Sequence, residues 1–94
     1  MIAHFLDYIA IERKYSQRTV DAYRDDLRDF CLYLKCAPQD FCPEEVGEDD
    51  VKGWMLHMLD SQKQSPRSVK RRLSALRSFY KFLLRQKKVS RDIT

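Results

Sequence analysis

The strongest constraint on this chain lies between Ser65 and Gln86. Val69, Leu73, Leu76, Tyr80 and Leu83 recur at alternating three- and four-residue steps, the spacing that lines one face of an α-helix. Ser65 and Pro66 precede the series: a hydroxyl that can cap a helix, then a residue whose missing N–H costs nothing at the first helical position. The spacing predicts a helix over 66–87. Advancing about 100° per residue from Val69 gathers these residues and Leu84 into one arc of about 100°, the expected buried face. Lys70, Arg71, Ser74, Arg77, Ser78, Lys81 and Arg85 fall on the wheel between about 80° and 200°, with no acid among them. A solvated helix ordinarily mixes signs, because like charges four residues apart repel.

Three further helices follow from the same period. Ile2, Phe5, Leu6 and Ile9 predict one over 2–14, and Ser16 followed by Val20, Tyr23, Leu27, Phe30 and Leu34 predicts a second over 17–35. Pro38 and the aperiodic stretch CAPQDFCPEEVG break the pattern. Val51, Trp54, Met55, Met58 and Leu59 resume it over 49–61, with Asp49 and Asp50 at the end where a helix dipole favours acids. A shift of 49 positions lays Ser16, Arg18, Val20, Leu27, Arg28, Phe30 and Leu34 on Ser65, Arg67, Val69, Leu76, Arg77, Phe79 and Leu83. The reading is an all-α chain of two helical hairpins sharing one small core, within the one domain that 94 residues allow.

Charge is divided along the chain. Residues 1–60 carry seven Lys/Arg and thirteen Asp/Glu, a net of −6, whereas residues 61–94 carry eleven Lys/Arg and one acid, a net of +10. A basic segment of this kind attracts polyanions, and a helix bearing Lys and Arg with short Ser side chains between them suits the major groove of duplex DNA. On that basis Lys70, Arg71, Ser74, Arg77 and Lys81 are the candidate DNA contacts. Lys14, Ser16, Arg18, Thr19 and Arg67 add to them at helix starts, where free amides can hold a phosphate.

Other chemistry is not indicated. His4 and His57 have no partner at metal-ligand spacing, and Cys31, Cys36 and Cys42 make neither a C-x-x-C motif nor an even-numbered disulfide framework. Glycine-rich phosphate loops and nucleophile motifs are absent. No catalytic residue, metal or cofactor is assigned. The lack of an apolar run of membrane-spanning length and the acids Asp7 and Glu12 near the start imply a soluble chain in a reducing cytoplasm.

The pattern Ser16-x-x-Thr19-x-x-x-Tyr23-x-x-x-Leu27-x-x-Phe30, followed by Ser65 and RRLSALRSFYKFLLR from Arg71 to Arg85, resembles the N-terminal core-binding domain of tyrosine recombinases, the phage-integrase family that includes the Xer type. Ser68 departs from the Thr often found there but keeps the hydroxyl. The resemblance implies a SAM-like helical domain of bacterial or phage origin, forming half of a clamp on double-stranded DNA. It further implies that the other half is a C-terminal catalytic domain absent from this chain. The parent would recombine or integrate DNA through a covalent phosphotyrosine, without metal or nucleotide cofactor, in a synaptic tetramer of protomers. Neither His4 nor His57 stands in an H-x-x-R motif, so this segment is expected not to be an enzyme by itself. Two alternatives use the same residues: a protein-interaction module whose basic helix docks on an acidic partner, and a stand-alone helix-turn-helix repressor, for which no short second helix pair or dimer surface is found.

Overall fold

The computed structural model describes residues 2–90 and Ile93. Arg91 and Asp92, at the end of the basic C-terminal stretch, lie outside the described residues. Every regular element among the described residues is helical: α1 (Ile2–Ile11), α2 (Gln17–Tyr33), α3 (Glu48–Asp60) and α4 (Pro66–Arg85), with single 3₁₀ turns at Pro38–Asp40 and Pro43–Glu45. The chain divides into two compact units between Phe41 and Cys42. In the first, α1 packs on α2; in the second, α3 packs on α4.

The helix starts follow from local chemistry. Ser16 and Ser65 are N-caps whose hydroxyl oxygens each accept an amide from three residues on, Thr19 and Ser68, at 3.2 Å. At α3 the carboxylate of Asp50 accepts the amide of Gly47 at 2.9 Å, and Glu48 and Asp49 add negative charge to the same turn. Replacing Ser16 or Ser65 with alanine leaves one amide without its partner and is expected to cost about 1 kcal/mol at each site, measured by urea unfolding; glycine at either position costs only a few tenths of that.

The helix ends have a common device. Lys14, Lys35, Lys63 and Lys87 have φ of 54°, 61°, 51° and 58°, so a lysine in the left-handed region follows each of the four helices. This backbone course stops α1 three residues before the end anticipated from the sequence, and α2 and α4 two residues before theirs. Periodicity alone carries a helix through such a residue, because side-chain identity does not announce a positive φ at lysine.

The first unit buries Phe5, Ile9, Val20, Leu27, Phe30 and Phe41. Phe5 stacks on Tyr23 with ring centroids 6.2 Å apart, and Phe41 meets Phe30 edge-on at 6.0 Å. Asp26 is buried as well, at 2% exposure, although it is a charged residue. It lies three residues after Tyr23 and four before Phe30, on the apolar side of that helix.

In the second unit Trp54, Met58, Leu76 and Phe79 are fully enclosed. The buried face of α4 is broader than the sequence suggests. It comprises Val69, Ala75, Leu76, Phe79, Tyr80, Phe82 and Leu83, an arc of about 160° on a 100° wheel. Leu73 and Leu84, expected inside, are half-buried at its edge. The added row, Ala75, Phe79 and Phe82, runs beside the anticipated one at the same three- and four-residue steps. Tyr80 donates its hydroxyl to the Pro43 carbonyl at 2.8 Å, tying α4 to the turn ahead of α3. Tyr80→Phe removes that buried donor and strands the carbonyl; the expected loss is about 1–2 kcal/mol, read from the denaturation midpoint at unchanged m-value.

Candidate nucleic-acid interface

The five candidate residues in the body of α4 all reach solvent. Lys70, Arg71, Ser74, Arg77 and Lys81 are exposed, as is Arg85 beyond them, and together they make one face opposite the buried arc. From Lys70 to Lys81 this face extends about 16 Å at 1.5 Å per residue, longer than the roughly 12 Å width of the B-DNA major groove. Ser74 donates its hydroxyl to the Lys70 carbonyl at 3.1 Å, which folds its side chain back on the helix between the longer cations. Among the described residues, no ion pair holds Lys70, Arg77 or Lys81.

The charges work against the helix that carries them. Arg67, Lys70 and Arg71 lie in the first two turns of α4, at the positive end of its dipole, and no acid is present in the first turn. A cation in the first turn, as Arg67 is, is unfavourable by about 0.3–1 kcal/mol at low ionic strength, and the effect fades by Lys70 and Arg71. Arg77, Lys81 and Arg85 then follow one another at four-residue intervals, the spacing at which like charges repel. α3 shows the usual arrangement, with three acids in its first turn. An anion placed along α4 relieves both penalties.

The candidates in the first unit form a second set. Ser16 caps α2, Arg18 is exposed in its first turn, and Thr19 is half-buried with its hydroxyl 3.0 Å from that of Ser16. Both hydroxyls are therefore already engaged with each other and with the Thr19 amide. Lys14 is exposed at its left-handed position in the preceding turn. Arg24 stands apart from the set: it bonds Asp21 at 2.8 Å. Hydrogen bonds from Gln17, then from Arg24, hold the Asp21 carboxyl below its usual range, so its charge persists beside that guanidinium.

The two sets are built on the same turn. The Tyr15 amide bonds the Ile9 carbonyl at 2.9 Å, and the Gln64 amide bonds that of Met58 at 2.9 Å. Val20 and Val69 each donate to the carbonyl of the capping serine at 3.0 Å. The paired hydroxyls are 3.0 Å apart at Ser16 and Thr19, and 3.1 Å apart at Ser65 and Ser68. Each of these correspondences is the 49-residue shift seen in the sequence. It places Lys63, exposed and left-handed, where Lys14 stands in the first unit. Lys63 was not among the expected contacts; the same shift applied to Lys14 makes it a further candidate.

Comparison with known proteins agrees with this architecture. Residues 2–87 match the family model described as phage integrase, N-terminal SAM-like domain. The protein named tyrosine recombinase XerC from Anoxybacillus flavithermus is 40% identical over 88 residues, covering 94% of this chain and 29% of the relative. Tyrosine recombinase XerD from Lacticaseibacillus casei is 36% identical over 92 residues, covering 98% and 30% respectively. XerC from Leptospira interrogans is 34% identical over 82 residues, covering 87% and 26%. The chain thus spans less than a third of the length of these relatives. No solved structure matches it significantly. Among the described residues no helix is long and apolar enough to cross a membrane, and no cluster of metal-binding side chains is present. With its four helices arranged as two capped hairpins and the family model matching nearly end to end, the chain belongs to the phage integrase N-terminal SAM-like domain family.

Proposed function

We propose that this chain is the DNA-gripping domain of a site-specific tyrosine recombinase. The observation that carries the reading is the acid-free, solvent-facing row of Lys70, Arg71, Ser74, Arg77 and Lys81 on α4. In this reading the cations neutralise backbone phosphates along one groove of a duplex, and Ser74 lets the helix axis approach base edges closely. Lys14, Ser16, Arg18 and Thr19 at the start of α2, and Arg67 at the start of α4, supply phosphate contacts through side chains and first-turn amides. Lys63 joins them on the strength of its match to Lys14.

The similarity to XerC and XerD supports a division of labour in which strand cleavage and rejoining belong to a C-terminal catalytic domain. This domain holds the core site, and other recombinase protomers complete a synapse. The competing picture, a basic helix docking in an acidic protein groove, needs apolar anchors on the presented face. Leu76, Phe79, Tyr80 and Leu83 are instead committed to the interior.

Fluorescence anisotropy with a labelled duplex tests the proposal. If about five phosphates are neutralised, log affinity falls against log salt with a slope of about −4 to −5. Absence of binding to any duplex at micromolar protein and low salt overturns it and favours an acidic protein partner.

A further inference from the structure

Cys31 and Cys36 meet at the end of α2 in a way that spacing alone does not reveal. Leu34 is the C-cap, and Lys35 follows it in the left-handed region at φ 61°. The Lys35 amide bonds the Leu32 carbonyl at 3.0 Å, and the Cys36 amide bonds the Cys31 carbonyl at 3.0 Å. These are the paired bonds of a Schellman ending, a geometry that characteristically brings together the side chains of its first and sixth residues. Those two residues are Cys31 and Cys36. Cys31 is buried, at 1% exposure, and Cys36 is half-buried beside the opening of the connection to Pro38. Burial, then the adjoining Cys36 side chain, pushes the Cys31 thiol up to about 12, which keeps it protonated and inert toward solvent reagents on its own.

We infer that Cys31 and Cys36 form a reversible disulfide, a modification site for small-molecule disulfides of the glutathione type. Cys36, the accessible member, loses its proton and attacks one sulfur of the small disulfide. That S–S bond breaks, and the departing thiolate takes up a proton to leave as free thiol. The Cys31 sulfur then attacks the Cys36 sulfur of the mixed disulfide, and its proton goes to the second departing thiolate. Two electrons pass from the protein thiols to the small disulfide, which is released as two thiols. The bridge ties the first residue of the connection to the last full turn of α2 and closes the end of that helix covalently.

The Cys42→Ser chain isolates the pair, since Cys31, Cys36 and Cys42 are the only cysteines. It is equilibrated in glutathione buffers of graded poise, once folded and once in concentrated urea, then quenched with an alkylating agent and weighed. Trypsin cleavage after Arg28, Lys35 and Lys52 puts the two thiols on separate peptides, 29–35 and 36–52, so a link between these identifies the bridge. The expected result is that the folded chain is half-bridged at a glutathione ratio at least about tenfold more reducing than the unfolded chain. An equal or more oxidising midpoint for the folded chain overturns the inference, as does a product carrying only glutathione adducts. Cys36→Ala in the same background checks the order of events: Cys31 is then expected to resist glutathionylation while folded. Modification of Cys31 at an undiminished rate contradicts entry through Cys36.

Discussion

Converting Arg77 and Lys81 together to glutamate is expected to abolish retention of duplex DNA at micromolar protein while leaving the folded state intact. Both side chains are exposed and, among the described residues, neither is held in an ion pair, so reversing their sign breaks no internal pairing. The unfolding free energy is expected to move by no more than about 0.5 kcal/mol. Any residual binding at low salt is expected to show a log–log salt slope shallower by about 2, one for each phosphate contact removed. Lys81→Glu alone sharpens the contrast. It places an acid four residues from both Arg77 and Arg85, and two such pairs are worth about 0.4–1 kcal/mol to a helix. Stability is therefore expected to rise as binding falls. Titration by anisotropy and urea unfolding on the same preparations read the two effects separately, and parallel losses in both would show that the cations serve the fold rather than a ligand.

The largest effect on stability is expected at Trp54. Its side chain is fully enclosed, and truncation to alanine leaves a cavity that the neighbouring helices fill only in part. A loss of about 3–5 kcal/mol is expected, a large fraction of the stability of any small domain. Leu56 is the control. Two residues along the same helix and 55% exposed, it is expected to tolerate alanine within about 0.5 kcal/mol. Thermal unfolding followed by circular dichroism distinguishes these outcomes, and a comparable loss at both positions would mean that α3 does not present its Trp54 face inward.

How much could be read from the residues differs between elements for physical reasons. The four helices and their pairing into hairpins were legible because each apolar stripe repeats near 3.6 and each long helix opens on a capping serine. The outward row on α4 was legible for the converse reason, since residues that cannot be buried without partners must occupy whatever arc the apolar ones leave. The second apolar row of α4 was not, because a single stripe of threes and fours does not say how wide the interior is. The burial of Asp26 is not announced by its chemistry, since a charged residue ordinarily stays at the surface, although its register puts it beside Tyr23, Leu27 and Phe30. The hidden partnership of Cys31 and Cys36 needed a positive φ at Lys35, which no periodicity encodes. Among the DNA-contact candidates, exposure followed from the wheel for α4, whereas the engagement of Ser16 with Thr19 emerged only from the cap geometry.

The four lysines that end the helices carry a consequence for anyone who would strengthen this molecule. A left-handed backbone costs a side-chain-bearing residue about 1–2 kcal/mol, and glycine escapes that cost at an entropic penalty of about 0.5–1 kcal/mol. Glycine at Lys14, Lys35, Lys63 and Lys87 is thus an obvious route to a hardier protein. The same four changes bring the formal net charge from +4 to zero. A heat-resistant version made this way has no net charge, and residues 61–94 fall from +10 to +8. The long-range pull on a polyanion weakens while the row on α4 stays, so robustness and speed of capture are set against each other at the same four positions.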